Sequence, residues 1–285
     1  MCHKDNGYPI ETLCKILKVS RSAYHNWSAG NICNREIENT RLSKTVEKIH
    51  NESPDKGYRR IRDDLEHDYK INVNDKRVLR ICRALDIKST IKYKNNGCTR
   101  SASNPQYIAE NILNRQFHAD KPNEKWLTDV TEFKWYEGVQ VHKLYLSAIL
   151  DLYDRRIVAF EIGEHNDNLL VYNTLDKALD ACPNAHPLFH SDRGFQYTNR
   201  TFHGKLEKAG MIQSMSQIGK CLDNGPMEGF WGILKRERYY GMRFLSRKSL
   251  THMIENYINY YNSKRVQHNL GILTPLEKHN MYLAA

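Results

Sequence analysis

Two segments decide the reading of this chain: HSDRGFQYT at 190–198 and DNGPMEGFWGILKRE at 223–237. In the first, the apolar run Pro187-Leu188-Phe189 gives way to Ser-Asp-Arg-Gly, the pattern of a strand ending in a tight turn at Asp192. In the second, Pro226 marks the first turn of a helix, so Glu228 lies close to its start. A third acid, Asp129, interrupts the strand-like WLTDVTEF at 126–133. The expectation is that Asp129, Asp192 and Glu228 share one site.

Phosphodiester chemistry by two metal ions needs hard oxygen ligands held from separate elements, with the ions roughly 3.5–4 Å apart. Carboxylates suit Mg²⁺ or Mn²⁺, whereas thiols and imidazoles favour softer metals. A strand acid, a strand-end acid and a helix acid can supply that set, with 35 residues between Asp192 and Glu228. Lys235 lies two turns beyond Glu228, nearly on its face, and Trp231 and Gly232 share that side. A cation beside a metal-binding acid suits a phosphate backbone, and Gly232 would let it approach. An exposed Glu and Lys on a surface helix is the plain alternative. Other acids compete. Asp151, ending a strand in ILDLYDR, is placed to replace or support Asp129; alternation turns Glu132 to the opposite face; Asp223 reads as a helix cap.

Other chemistries find no motif. There is no G-x-x-x-x-G-K-[ST], G-x-S-x-G, G-x-G-x-x-G or H-E-x-x-H. Cys182, His186 and His190 recur every four residues, but Pro183 and Pro187 break the helix that would align them on a metal. Seven scattered cysteines without a C-x-x-C pair fit a reducing compartment. With no apolar leader and no run of about 18 apolar residues, a soluble intracellular protein is expected. The net charge of +10 is concentrated: residues 53–100 and 233–285 each carry a net +6. Two basic flanks around a near-neutral middle suit a polyanion such as nucleic acid, against the alternative of solvated charged faces.

Outward from the site, the pattern predicts an α/β fold. Lys125–Trp135, Lys143–Asp151 and Arg155–Ile162 read as an antiparallel meander, followed by a helix at Leu169–Leu179, a strand at Leu188–His190, a helix at Asn199–Lys208 and a strand at Met211–Met215. The glutamate helix then runs from Pro226 towards Arg238, Ser246–Tyr261 forms an amphipathic helix, and an irregular tail follows. The N-terminal region is helical throughout. Pro9–Trp27 reads as two short helices with Ser20 as a cap, a packing hairpin more than a DNA reader; Arg35–His50 forms a third helix. GYRRIRDDLEHD and, after Asn74, DKRVLRICRAL give two more, with Val78, Cys82 and Leu85 inward and Arg77, Arg80 and Arg83 on another face. Two such helices, the second basic, form an economical DNA-docking pair. Ile87–Gln106 reads as a basic linker.

In their order and spacing, WLTDVTEF, HSDRGFQYT and DNGPMEGFWGILKRE resemble the D,D-35-E core of retroviral integrase-like transposases. More narrowly, GYRRIRDDL with NVNDKRVLRICRALDIK, and YNSKRVQHNLGILTPLE near the end, resemble the second-frame (OrfB) product of insertion sequences of family three. The resemblance covers nearly the whole chain. It implies a ribonuclease-H-like mixed five-stranded sheet with flanking helices, preceded by a small all-α helix-turn-helix-like domain. The corresponding divisions are 1–50 (N-terminal helices), 51–88 (helix-turn-helix-like module), 89–118 (basic linker), 119–240 (catalytic core) and 241–285 (C-terminal helix and basic tail). Asp129, Asp192 and Glu228 would hold Mg²⁺ or Mn²⁺, two ions per site, and the activity would be cleavage at element ends followed by strand transfer from the exposed 3′-hydroxyl. Lys235 matches the family's DNA-contacting cation. Arg236, Arg59, Arg60, Arg77, Arg80, Arg83 and Arg265 are further candidate DNA contacts. The partners implied are double-stranded DNA at element ends and target, further copies of the chain, and the family's first-frame product, separate or as a frameshift fusion. The location implied is the bacterial cytoplasm, at the nucleoid. Gly225-Pro226, Gly229 and Phe195 depart from the usual residues without removing a ligand. A DNA-binding regulator without catalysis and a nuclease of the same fold without strand transfer are the alternatives.

Overall fold

In the N-terminal region, short amphipathic segments are closed by local capping. The computed structural model describes residues 9–30, 34–91, 105–217 and 221–285. Helix α1 (Ile10–Leu17) ends at Lys18, which turns left-handed at φ 52°, and α2 (Arg21–Ser28) begins where Ser20 Oγ accepts the Ala23 N–H. Helix α3 (Asn34–Glu52) buries Leu42, Val46 and Ile49, one stripe at helical spacing. Helix α4 (Tyr58–His67) buries Ile61 and Leu65, and α5 (Asp75–Ala84) starts on the expected cap, Asn74 Oδ1 accepting the Lys76 N–H. Val78 and Cys82 face inward as expected, but Leu85 is exposed. It is the residue that ends the helix, and Ile81 takes its place in the core. Most of the predicted linker, 92–104, lies outside the described residues.

The chain divides into two units. One takes in the described residues up to Leu65 together with Asn72–Ser89; the other takes in Glu66–Ile71 and the described residues from Thr90 onward. The second holds the sheet. Strands β1 (Lys125–Glu137), β2 (Gln140–Asp151) and β3 (Ile157–Gly163) form the antiparallel meander, and β4 (Leu188–Ser191) and β5 (Ile212–Met215) add parallel strands in the order β3-β2-β1-β4-β5. Helices α6 (Asn168–Ala181) and α7 (Arg200–Lys208) are the crossovers into β4 and β5. This is the mixed five-stranded, ribonuclease-H-like arrangement with flanking helices. The β1–β2 hairpin is longer than the sequence pattern predicts, with β2 starting at Gln140 rather than Lys143. Its first residues are mostly exposed and so lack the alternation that marks a half-buried strand.

Alternation along β1 sorts the core. Trp126 faces the layer of α6 and α7, packed with Leu175, Phe189 and Phe202. Leu127 and Phe133 face the other layer. That second layer is built from α8 (Gly225–Leu234), which continues through a π-helical turn at Lys235–Tyr239, and from α9 (Arg247–Ser263). Met227, Phe230 and Trp231 meet Leu250, Ile254 and Tyr261 there. Asp129, two residues from Leu127, belongs to this face. The tail is not wholly irregular: α10 (Pro275–Leu283) begins on a capping box in which Thr274 and Glu277 bond each other's backbone N–H. Among the described residues no helix is long and apolar enough to cross a membrane.

Candidate active site

The strand register brings the first two acids level. Strand β4 pairs with β1 through Lys125↔Leu188 and Leu127↔His190, and continuing that offset by two residues sets Asp129 against Asp192, just past the end of β4. Adjacent strands lie about 4.8 Å apart, so two carboxylates at one level repel each other. Asp129 shows it: burial first, then the charge of Asp192, and more weakly that of Glu228, push its carboxyl up to about 8, against hydrogen bonds from Val130 and Trp231. Burial likewise raises Asp192, whose bond from the Gly194 N–H pulls the other way.

Both carboxylates are held in place. Asp129 Oδ1 accepts the Val130 N–H at 2.8 Å, and Oδ2 accepts the Trp231 indole N–H at 3.0 Å. Asp192 Oδ1 accepts the Gly194 N–H at 2.8 Å in the turn that follows β4, where a Cβ on Gly194 would sit only 3.0 Å from that oxygen. Behind them the polar groups are satisfied. His190 lies between Ser214 Oγ (2.9 Å) and Ser216 Oγ (3.1 Å), and burial pulls its imidazole down to about 4, so it is neutral at pH 7. Glu228 stands exposed in the first turn of α8. Helix α8 is tied to β1 by Asn224 Nδ2 donating to the Thr128 carbonyl at 3.1 Å, beside Asp129.

The competing acids are otherwise engaged. Asp151 is fully buried and accepts N–H groups from Asn123 (2.6 Å), Tyr153 (2.8 Å) and Trp126 (3.3 Å), which makes it a structural acceptor. Glu132 pairs with Lys143 at 2.9 Å. Asp223 caps no helix; it binds Arg115 at 2.7 Å and Asn111 at 3.0 Å, pinning the segment before β1.

The basic candidates separate by partner. Lys235 lies against the Phe133 ring, 5.1 Å from its centroid; burial lowers its pKa, while Glu132 and Asp129 draw it back up. The space above Gly232, expected to admit phosphate, is taken by the folded-back guanidinium of Arg236, whose Nη1 would lie 2.8 Å from a Cβ there. Arg265, expected to meet DNA, donates Nη2 and Nε to the Glu237 carboxylate at 2.9 and 3.2 Å, and with side-chain exposures of 11% and 3% the pair lies inside the protein. In the N-terminal unit, Arg60 pairs with Asp55 at 3.0 Å, and Arg77 holds Glu38 and Asn39 at 3.0 and 2.9 Å. Arg59, Arg80 and Arg83 are exposed, and Lys76, which the sequence pattern did not single out, joins Arg80 and Arg83 on one face of α5. Its signal was the spacing of four and three residues, in place of the regular three that pointed to Arg77.

Among the described residues no three His, Cys, Asp or Glu side chains converge closely enough to hold a metal as they stand. The three acids are nonetheless all carboxylates, and Asp129, raised first by burial, is raised further by the negative charges of Asp192 and Glu228. Hard divalent cations fit such a set.

Comparison with known proteins gives the family. Two family models described as integrase core domains match residues 119–221 and 228–283, and one described as an HTH-like domain matches 36–95. The chain is similar to the putative transposase InsK of insertion sequence element IS150 from Escherichia coli, with 36% identity over 96% of this chain and 94% of that one. An uncharacterized transposase-like protein of Haemophilus influenzae is 40% identical over 72% of this chain and 93% of its own length. The transposase for IS904 of Lactococcus lactis is 33% identical over 86% and 97%. Among solved structures, the HTLV-2 integrase catalytic core domain in complex with magnesium aligns with a TM-score of 0.45 at 18% identity, covering 57% of this chain and 99% of that one.

Proposed function

The chain belongs to the insertion-sequence transposases built on an integrase core, and from that premise we propose that Asp129, Asp192 and Glu228 are its catalytic metal ligands for cleavage at element ends and strand transfer. Its activity is that of a DNA transposase, a polynucleotidyl transferase. The observation that carries the assignment is the parallel register of β1 and β4, which levels Asp129 with Asp192 just past the end of β4, each raised by its surroundings.

Asp129 and Asp192 would hold the ions from the sheet, and Glu228, exposed on α8, would complete the set from the helix. Bound there as a pair, Mg²⁺ or Mn²⁺ would activate the attacking hydroxyl and stabilise the leaving oxygen of an in-line displacement. The Val130 and Gly194 N–H groups each hold one oxygen of their aspartate. Arg236 and Lys235, about two turns beyond Glu228, would bind the phosphates flanking the scissile bond. Lys76, Arg80 and Arg83, with Arg59, would grip duplex DNA through the N-terminal unit, consistent with its HTH-like match. Work on two DNA ends calls for more than one copy, and the family's first-frame product is the natural further partner.

The test is cleavage and joining of element-end DNA with Mg²⁺ or Mn²⁺, wild type against Asp192→Asn. The variant should lose at least about a thousandfold, since it removes a metal ligand rather than a neighbour of one. Full activity of the variant overturns the assignment. DNA binding without nicking under either metal would make the chain a regulator, and nicking without joined product a nuclease.

A further inference from the structure

Trp231 is not accounted for by the reaction. Its side chain is 6% exposed and packs in the layer between α8 and the sheet, its ring 5.0 Å from that of Phe230. A buried indole needs an acceptor for its N–H, and a main-chain carbonyl would serve. Here the acceptor is Asp129 Oδ2, at 3.0 Å. The other oxygen is already bound to the next residue's own N–H, a local bond that leaves the carboxylate free to swing about it. The indole comes from a different element and removes that freedom.

We propose that Trp231 is a positioning residue of the catalytic site: its N–H orients the Asp129 carboxylate and registers it against the helix that carries Glu228. The proposal rests on the metal-ligand reading above. Trp231 lies three residues after Glu228, about 4.5 Å along the helix axis. Helix α8 meets β1 through Asn224 and Thr128 at its start and through Trp231 and Asp129 one turn past Glu228. These two bonds bracket the glutamate, and only the second ends on a reacting group. An indole N–H is a donor alone, so it can neither bind a cation nor exchange a proton in the reaction. Orientation is what remains to it. Groups that orient a metal ligand from behind typically contribute about 10- to 100-fold in affinity or activity.

The experiment uses the full chain in three forms: wild type, Trp231→Phe, which keeps the aromatic bulk and loses the N–H, and Asp129→Asn. Mn²⁺ binding is followed by calorimetry, and strand transfer is measured across Mn²⁺ concentrations. Trp231→Phe should bind Mn²⁺ about tenfold more weakly and need correspondingly more of it, with a melting temperature close to wild type. If it binds Mn²⁺ and reaches half-maximal strand transfer at wild-type concentrations, Trp231 only fills space and the proposal falls. If Asp129→Asn binds Mn²⁺ as wild type does, the metal-ligand reading itself fails. Should Trp231→Phe not fold, wild-type indole ¹H–¹⁵N resonances carry the test. The one displaced by Asp129→Asn must also move when Mg²⁺ is added, and a resonance that stays still overturns the proposal.

Discussion

Arg265 and Glu237 form a buried ion pair whose two halves come from α9's exit and the π-helical turn after α8, with the Tyr257 hydroxyl adding a further bond to Glu237 at 3.0 Å. Truncating Arg265 to Ala takes this guanidinium from a carboxylate that is 3% exposed; chemical denaturation should show a loss of about 3–5 kcal/mol. Replacing both partners by apolar residues of similar size should recover much of it. An unchanged Arg265→Ala midpoint would mean the pair is solvated after all. Asp151 gives a pH-dependent case. Burial, and then the charge of Asp154, hold its carboxyl at about 6, against N–H bonds from Asn123 and Tyr153. Because the folded value lies above the unfolded one of about 3.9, the folded state binds the proton more tightly. The stability that this group contributes is therefore full below that unfolded value and is lost as pH rises towards 6. Relative to Asp151→Asn, the wild type should lose about 2–3 kcal/mol across that window in urea melts, and parallel curves would refute the assignment. At this scale the sequence is a good guide to chemistry and a poor one to partners. Asp129, Asp192 and Glu228 stand out by motif, but whether an arginine meets solvent or a carboxylate depends on residues such as Glu38 and Glu237, which only the fold brings near.

Helix α8 shows how an element turns spacing into a site. Periodicity puts Trp231, Gly232 and Lys235 on the side of Glu228, and each meets a different neighbour in the structure. Trp231 bonds Asp129, Lys235 lies on Phe133, and Gly232 makes room for Arg236. The π-helical turn at Lys235–Tyr239, invisible to a reading that assumes a uniform helix, is where the two basic residues diverge. Gly232→Ala separates stability from function. Alanine favours a helix interior by about 1 kcal/mol over glycine, while its Cβ, 2.8 Å from Arg236 Nη1, must push the guanidinium aside. The variant should melt no lower than wild type and transfer strands several-fold more slowly. Undiminished strand transfer would show that Arg236 does not need the space over Gly232. The last helix is legible too, since Thr274-Pro275-Leu276-Glu277 is a capping box with proline at the first turn. Its apolar pattern hides it, because only Pro275 of its residues is buried and no apolar stripe results.

For the molecule as a whole, the two basic regions of net +6 are the feature that sequence shows most plainly and resolves least. Charge totals predict a polyanion partner, but many of those charges are paired within the protein: Arg60 with Asp55, Arg77 with Glu38, Lys56 with Asp64 and Arg265 with Glu237. Fewer cations remain to meet phosphate, so the salt dependence of DNA binding should be shallower than the formal charge suggests. The order of the sheet follows from the strand and helix alternation, whereas this sorting of charge follows from packing. Each cation that replaces a counterion on duplex DNA adds about 0.9 to the slope of log K against log salt. The double variant Arg80→Ala/Arg83→Ala, taken from the exposed face of α5, should therefore flatten that slope by about 1.8 with no change in melting temperature. Arg60→Ala/Arg77→Ala should do the reverse, lowering the melting temperature while leaving the slope nearly as it was, because those guanidinium groups are held by Asp55 and Glu38. Equal slope changes in the two variants would show that the intramolecular pairs open on DNA. Asp192→Asn, which touches neither set, should bind with the wild-type slope while failing to join ends, so that recognition and chemistry separate within one chain.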